Sequence, residues 1–364
     1  AVVVHVQFVA REREVREGVR PVDEGLDPLR PRHLRDLAHR QDLARQVGTV
    51  AGSELSALGF NLLLGPSLDI LEPIYAENSE GLGTRTCGGD PFWGSRMGTA
   101  YIQGLHDGSE NRLAVIAKHF PGRGSADRPA EDEVATVRKT LEQMVEEDLV
   151  PFFSVTNGAL ESSQTADGFL VSHIRYQFQG NIRQVTRPVS FDRAALDQLL
   201  GLEPLATWRT EGGVVVSDNL GSQAVRLYYD PALRSFDGRT VARNAFLAGN
   251  DLLYLNNFQS TGDEDELTSI IRTLDSFAQK YREDDAFAQQ VDVSALRILT
   301  LKFRLYPRFS LEQVLPGVGD LAEIGKADAI TFDVAQNSVT LISPTASELS
   351  VNLPRGPISS ERII

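Results

Sequence analysis

Apolar positions along the chain fall into short unbroken runs that alternate with stretches of helical periodicity. Val2-Val3-Val4-His5-Val6, Phe60-Asn61-Leu62-Leu63-Leu64-Gly65-Pro66, Leu113-Ala114-Val115-Ile116-Ala117-Lys118-His119, Phe169-Leu170-Val171-Ser172-His173, Val214-Val215-Val216 and Gly249-Asn250-Asp251-Leu252-Leu253-Tyr254-Leu255 read as strands. Between them, residues 33–58, 90–107, 239–248, 266–282 and 293–304 read as helices. Residues 134–149 are expected as one amphipathic helix through Val134, Val137, Leu141, Met144, Val145 and Leu149. Ser190 is expected to N-cap a helix carrying Leu196, Leu199 and Leu200 and ending at Gly201.

Uniformly apolar strands separated by helices predict an α/β fold with a parallel sheet covered on both faces. Five or six strand–helix units fit a (β/α)8 TIM-type barrel, lacking its first unit, better than an open doubly wound sheet. No Gly-x-Gly-x-x-Gly turn and no phosphate loop follows any of the strands, which counts against nucleotide binding. The pattern changes after residue 305, where Tyr306-Pro307 and Leu315-Pro316-Gly317 punctuate the chain and Val339-Thr340-Leu341-Ile342 begins a fresh strand. The expected domains are a barrel over 1–305, a linker over 306–335 and the start of a second α/β domain, cut short, over 336–364.

The 364 residues are 41% hydrophobic, enough for a large core. With 50 acidic against 36 basic side chains the net charge is −14, which repels phosphate backbones and disfavours a nucleic-acid partner. Neutral sugars are indifferent to that field. The single Cys87 excludes an internal disulfide. No apolar run approaches the roughly 20 residues of a membrane span. No metal-ligand constellation stands out, and no cofactor is expected. The opening at Ala1 in a strand-like run, without methionine, suggests processing or a piece of a longer protein.

Candidate chemistry gathers where strands end. Asp69, Lys118, His119, His173 and Asp218 lie at or near such ends, and Arg85 lies in the glycine-rich stretch Gly81-Leu82-Gly83-Thr84-Arg85-Thr86-Cys87-Gly88-Gly89. Lys, His and Arg side chains can donate to sugar oxygens, and a carboxylate held among them stays ionised and can act as a nucleophile. Each residue also has a structural reading. Lys118 and His119 could make an ion pair and a core hydrogen bond, Asp218 could cap the next helix, and Asp69 could fix a loop. Asp251 reads as closing a helix-to-strand turn, and Glu131-Asp132-Glu133 as a solvated first turn of a helix. Lys118 as a Schiff-base lysine of an aldolase-like barrel is a further possibility.

In order and spacing these residues resemble glycoside hydrolase family 3 over about Leu43 to Leu305. The resemblance is carried by Ala117-Lys118-His119-Phe120-Pro121-Gly122, Arg85 with Gly88 and Asp90-Pro91, and Val216-Ser217-Asp218. Supporting matches are Leu58-Gly59-Phe60-Asn61, Pro66 with Asp69, Ser172-His173-Ile174 and Ala248-Gly249-Asn250-Asp251. It implies retaining exo-hydrolysis of a β-linked sugar, a β-N-acetylglucosaminide first and a β-glucoside second. Asp218 would be the nucleophile, Arg85, Lys118 and His119 would hold sugar hydroxyls, and Asp69 and His173 would sit in or beside that shell. It also leans toward export to the cell envelope, and it leaves oligomeric state open.

The pattern departs from the family in two places. The β-N-acetylglucosaminidase branch continues His-Gly-Asp-Thr and carries an Asp-Ser-His whose histidine is the acid/base. Here Arg123-Gly124-Ser125-Ala126 follows, and Glu131 falls at that histidine's position, with Asp127 and Asp132 as alternatives. The family's early Asp-x-Glu-Gly-Gly-like stretch has no counterpart after Phe8. The alternative is therefore a catalytically impaired barrel that binds carbohydrate or serves as a scaffold.

Overall fold

A computed structural model of the chain describes residues 31–338 apart from 73–81, 83–84, 157–161, 181, 184, 309, 316 and 318. The strands expected at Val2–Val6 and Val339–Ile342, and Gly81, Gly83 and Thr84, lie outside the described residues. The chain divides into two compact units, residues 1–327 and 328–364. The described part of the second is one helix, Asp328–Ser338.

The first unit opens with α1 (Pro31–Ala57), β1 (Leu62–Ser67), α2 (Pro91–Gly108) and β2 (Ala114–Phe120). It continues through β3 (Thr136–Val137), α3 (Leu141–Glu146), α4 (Val150–Ser154), β4 (Gly168–Val171) and β5 (Arg175–Tyr176). Then come α5 (Arg193–Leu200), α6 (Leu205–Thr210), β6 (Val214–Ser217), α7 (Gln223–Tyr229) and α8 (Gly238–Ala248). Two long helices, α9 (Glu266–Glu283) and α10 (Asp285–Leu305), precede a short α11 (Leu311–Val314).

The main sheet runs β1-β2-β4-β6, all parallel, and a parallel bridge from Val216 to Leu252 adds a fifth position. Spatial order follows chain order without reversal. A doubly wound sheet must reverse at a switch point, so this is the winding of a (β/α)8 barrel. The described strands form an arc of it and do not close. The run expected as a strand at 249–255 supplies only the Leu252 bridge, because Gly249 takes φ 120° and Asp251 is held from its side chain.

All seven residues of β2 are buried, as expected of a strand covered on both faces. Around it Phe120, Phe152 and Phe169 meet ring to ring at 5.2–5.3 Å. Phe169 also stacks on Trp208 at 4.3 Å, whose Nε1–H donates to the Ala166 carbonyl at 2.8 Å. On the outside α1 lies against α2 at backbone distance. A Cβ at Gly104 would fall 2.0 Å from the Arg45 carbonyl oxygen, and one at Gly48 2.3 Å from that of Tyr101. Only glycine permits that approach.

Two local expectations are corrected. Residues 134–149 are not one helix. Thr136-Val137 pair in parallel with Arg175-Tyr176, and α3 starts only at Leu141. Thr140 and Gln143 form a reciprocal capping box there, which satisfies the first turn's amides and fixes the start. Ser190 does not cap α5. It lies in a 3-10 turn, and the cap is Asp192, whose carboxylate accepts from the Ala195 amide at 3.2 Å.

Ionic clusters lock the amino-terminal ends of the strands. Asp251, ahead of Leu252, binds the Arg209 guanidinium, Arg297 at 3.3 Å and the Ser294 hydroxyl at 2.8 Å. Asp167, ahead of β4, accepts from the Val115 amide and contacts His106 Nε2 at 3.0 Å. Charged groups at that end of a barrel serve stability, and the opposite end is left for chemistry. No described helix is long and apolar enough to cross a membrane.

Candidate active site

The carboxyl ends of β1, β2, β4 and β6 carry Asp69, Lys118-His119, His173 and Asp218. Because the four strands are parallel and in register, these residues share one edge of the sheet. Each strand end is closed by hydrogen bonds that leave its side chain at that edge. The Asp218 amide donates to the Val171 carbonyl at 3.0 Å, and the Leu68 amide to that of Lys118 at 2.5 Å. The Lys118–His119 and Phe120–Pro121 peptide bonds are cis.

Asp69 is 1% exposed. It accepts from Ser67 Oγ at 2.5 Å, His119 Nδ1 at 2.8 Å, and the amides of His119 at 3.3 Å and Arg123 at 2.8 Å. Burial pushes its carboxyl up, but His119, Arg123 and Ser67 outweigh that and hold it far below the usual carboxylate range. With these partners Asp69 stands behind His119, as the residue that orients it.

A carboxylate only accepts, so the proton of the His119 ring sits on Nδ1 and Nε2 is left as the lone-pair nitrogen. Burial, reinforced by Arg123, pushes the imidazole below its ordinary value despite Asp69, so it is neutral at pH 7. His119 was expected as a donor to sugar oxygens. This tautomer instead offers an acceptor to a hydroxyl O–H.

His173 is fixed in the same manner. Its Nε2 lies 3.1 Å from the Asn219 carbonyl and must donate, so Nδ1 accepts from Ser190 Oγ at 2.7 Å. Its ring stacks on Phe191. Burial pushes it down as well. With both nitrogens engaged, His173 holds the loop that bears Asp218.

The Asp218 Oδ1 accepts from the Asn219 amide at 2.7 Å. Burial raises its carboxyl, but His173, His119, Arg123 and the Asn219 amide together pull it below the ordinary value. Since burial keeps both imidazoles neutral, the cation that persists at pH 7 is the Arg123 guanidinium. Lys118 adds to it from β2. Its ammonium is pushed down to about 8, by burial first and then by Arg123 and Arg85, with Asp218 and Asp69 opposing. Arg85 is thus within electrostatic range of Lys118, although the loop that carries it is described only in part.

Arg123 was overlooked as a site residue. Its side chain is 6% exposed, and its Nη1 donates to Glu131 Oε1 at 3.0 Å. Burial opposes its charge, but Glu131, Asp69 and Asp218 raise its guanidinium above the ordinary value. The signal was present in the sequence as the replacement of histidine by arginine after Pro121-Gly122.

Glu131 lies in a loop, not in the helical first turn expected for it, and its side chain is 53% exposed. Its carbonyl accepts from the Ala224 amide at 3.1 Å, which ties this loop to the start of α7. Asp127 is turned inward to the Thr136 amide at 2.8 Å. No group of three His, Cys, Asp or Glu among the described residues is placed to hold a metal ion.

A carboxylate set among cations beside neutral imidazoles suits attack on an electrophilic carbon flanked by hydroxyls. A β-hexosaminidase of Hydrogenovibrio crunogenus is 26% identical over 223 residues, covering 61% of this chain and 54% of its own length. One of Idiomarina loihiensis is 28% identical over 219 residues, covering 60% and 56%. The chain thus spans just over half the length of these relatives.

Among solved structures, a glycoside hydrolase family 3 β-N-acetylglucosaminidase from Paenibacillus sp. matches with a TM-score of 0.65 at 24% identity, over 84% of this chain and 52% of that one. A β-glucoside phosphorylase matches with the same score at 19% identity, over 84% and 50%. Likeness at that level establishes the fold. Residues 30–301, most of the chain, match the model of the glycosyl hydrolase family 3 N-terminal domain, and the chain belongs to that family.

Proposed function

We propose that the chain carries the barrel of a retaining glycosidase that removes β-linked sugars from a non-reducing end. β-N-Acetylglucosaminides are the favoured substrates and β-glucosides come second. The observation that carries this reading is the placement of Asp218 at the carboxyl end of β6, on the same sheet edge as Lys118 and His119, with surroundings that favour its charged form. In this role Asp218 attacks the anomeric carbon, the bond to the glycosidic oxygen breaks with that oxygen leaving on the aglycone, and water then hydrolyses the glycosyl ester and returns Asp218 as carboxylate. Lys118 and Arg85 donate to sugar hydroxyls, and His119 accepts from one. The β-hexosaminidase relatives favour the amino sugar. A barrel over residues 1–305 followed by a second domain fits this reading.

A retaining reaction needs a second group on the other side of the bond. Glu131 takes that part. It is bonded to the Arg123 guanidinium at 3.0 Å and half in solvent, so its carboxylate is already engaged before a leaving group arrives. That pairing favours one competing reading, a barrel that binds sugar with weak or no turnover. Hydrolysis of p-nitrophenyl β-N-acetylglucosaminide, whose leaving group needs little protonation, separates the two. Turnover abolished by Asp218→Ala supports the glycosidase, and saturable sugar binding without turnover supports the alternative.

A further inference from the structure

His106 stands at the amino-terminal end of the strands, away from the candidate site, in the last turn of α2, and is 5% exposed. Both of its ring nitrogens are engaged. Nδ1 lies 2.7 Å from the Ser163 carbonyl oxygen, and Nε2 lies 3.0 Å from Asp167 Oδ2. A carbonyl oxygen and a carboxylate oxygen only accept. A neutral imidazole has one N–H, so its other nitrogen would set a lone pair against an oxygen lone pair in a buried place. Two donors are required, and the imidazolium supplies them. His173 differs in this respect, because the Ser190 hydroxyl can donate to its Nδ1.

The surroundings favour the charge. A helix carboxyl end attracts a cation. Asp167 faces the ring from the head of β4, and Asp107 adds to it from α2 itself. Each carboxylate also meets an outer cation. Asp107 holds Arg45 of α1 at 2.7 Å, and Asp167 lies 3.7 Å from Arg304 of α10. Burial opposes the imidazolium, but Asp167, the Ser163 carbonyl and Asp107 outweigh it and raise the ring above its ordinary value.

We propose that His106 is a pH-sensitive clamp, an imidazolium that ties the 3-10 turn Ser162–Gln164 to α2 and to the head of β4 and loosens that turn when it gives up its proton. The clamp is independent of the role given to Asp218. On deprotonation one N–H is lost. The carboxylate is the stronger acceptor and keeps the remaining one, so the Ser163 carbonyl loses its bond to the ring. The turn is then held to α2 through the Gln164–Gln103 amide pair at 3.1 Å. The ring is raised in the folded state, so its contribution is fully present below the ordinary histidine value of about 6.5 and is lost as pH rises through the folded value.

Nitrogen-15 NMR of the histidine rings in the full chain reads the clamp directly. At pH 7 the His106 ring is expected with both nitrogens protonated, and it should titrate above an exposed histidine. His106→Gln is neutral at every pH and supplies the comparison in chemical denaturation. At pH 6 its unfolding equilibrium constant should exceed that of the wild type by roughly tenfold or more, the worth of a hydrogen bond to a charged group. That gap should close as pH rises to 9. Lys118 titrates in both proteins and cancels in the difference. Hydrogen exchange follows the turn itself. The Ala166 amide, bonded to the Val155 carbonyl at 2.8 Å, should lose protection in the wild type over the same range, after correction for intrinsic base catalysis. A His106 ring that is neutral at pH 7 overturns the proposal, and needs no variant to do so. A stability gap that stays constant from pH 6 to 9 overturns it as well.

Discussion

His119 Nδ1 lies 2.8 Å from Asp69 Oδ2, and that one contact fixes both the orientation and the tautomer of the imidazole at the edge of the sheet. Asp69 also holds the Arg123 amide, so a single buried carboxylate positions two residues that border Asp218.

Asp69→Ala is therefore expected to destabilise the fold by about 3 kcal/mol or more, because it strands several buried donors. Chemical denaturation measures this. The carboxyl is depressed in the folded state, so its contribution is fully present above its unfolded pKa and is lost only as pH falls through the folded value. The deficit of the variant should be constant from pH 5 to 8.

Lys118 sets an alkaline limit. Its ammonium must be protonated to donate to a hydroxyl, and it is pushed down to about 8. kcat/KM should fall by about tenfold per pH unit above that point. Lys118→Met should lower activity at pH 7 and remove that limb from the profile. Asp218 is depressed, so no loss of its nucleophilicity is expected near pH 5.

Trp208→Phe keeps the stack on Phe169 and leaves the buried Ala166 carbonyl without its donor, a loss of about 1–3 kcal/mol. Trp208→Ala should cost about 3–5 kcal/mol through the cavity it opens. The difference between the two melts separates the hydrogen bond from the packing.

Gly104→Ala should cost about 1–3 kcal/mol or more, since its Cβ would meet backbone and not a movable side chain. Thermal unfolding reads this directly. An unchanged melting temperature would contradict the close packing of α1 on α2.

The parallel strands were legible because β2, β4 and β6 are buried on both faces and leave unbroken apolar runs. Residues 134–149 were misread because Val134, Val137 and Leu141 fall at helical spacing by coincidence. The capping box at Thr140 and the pairing of Thr136-Val137 with distant Arg175-Tyr176 override that period. Asp69 was visible as part of a motif, but its position behind His119 depends on the bulge between Leu64 and Ser67, which no periodicity encodes. Arg123 was missed because a guanidinium buried in a Gly-Arg-Gly turn belongs to no repeating pattern. Its partners, Asp69 and Glu131, come from different segments.

The most direct test of the account is hydrolysis of p-nitrophenyl β-N-acetylglucosaminide and β-glucoside by the wild-type chain and Asp218→Ala. Turnover of the amino sugar should exceed that of the glucoside and should fall by roughly 10⁴–10⁶-fold in the variant, as for loss of a catalytic nucleophile. Full activity in a folded Asp218→Ala would contradict the assignment of Asp218.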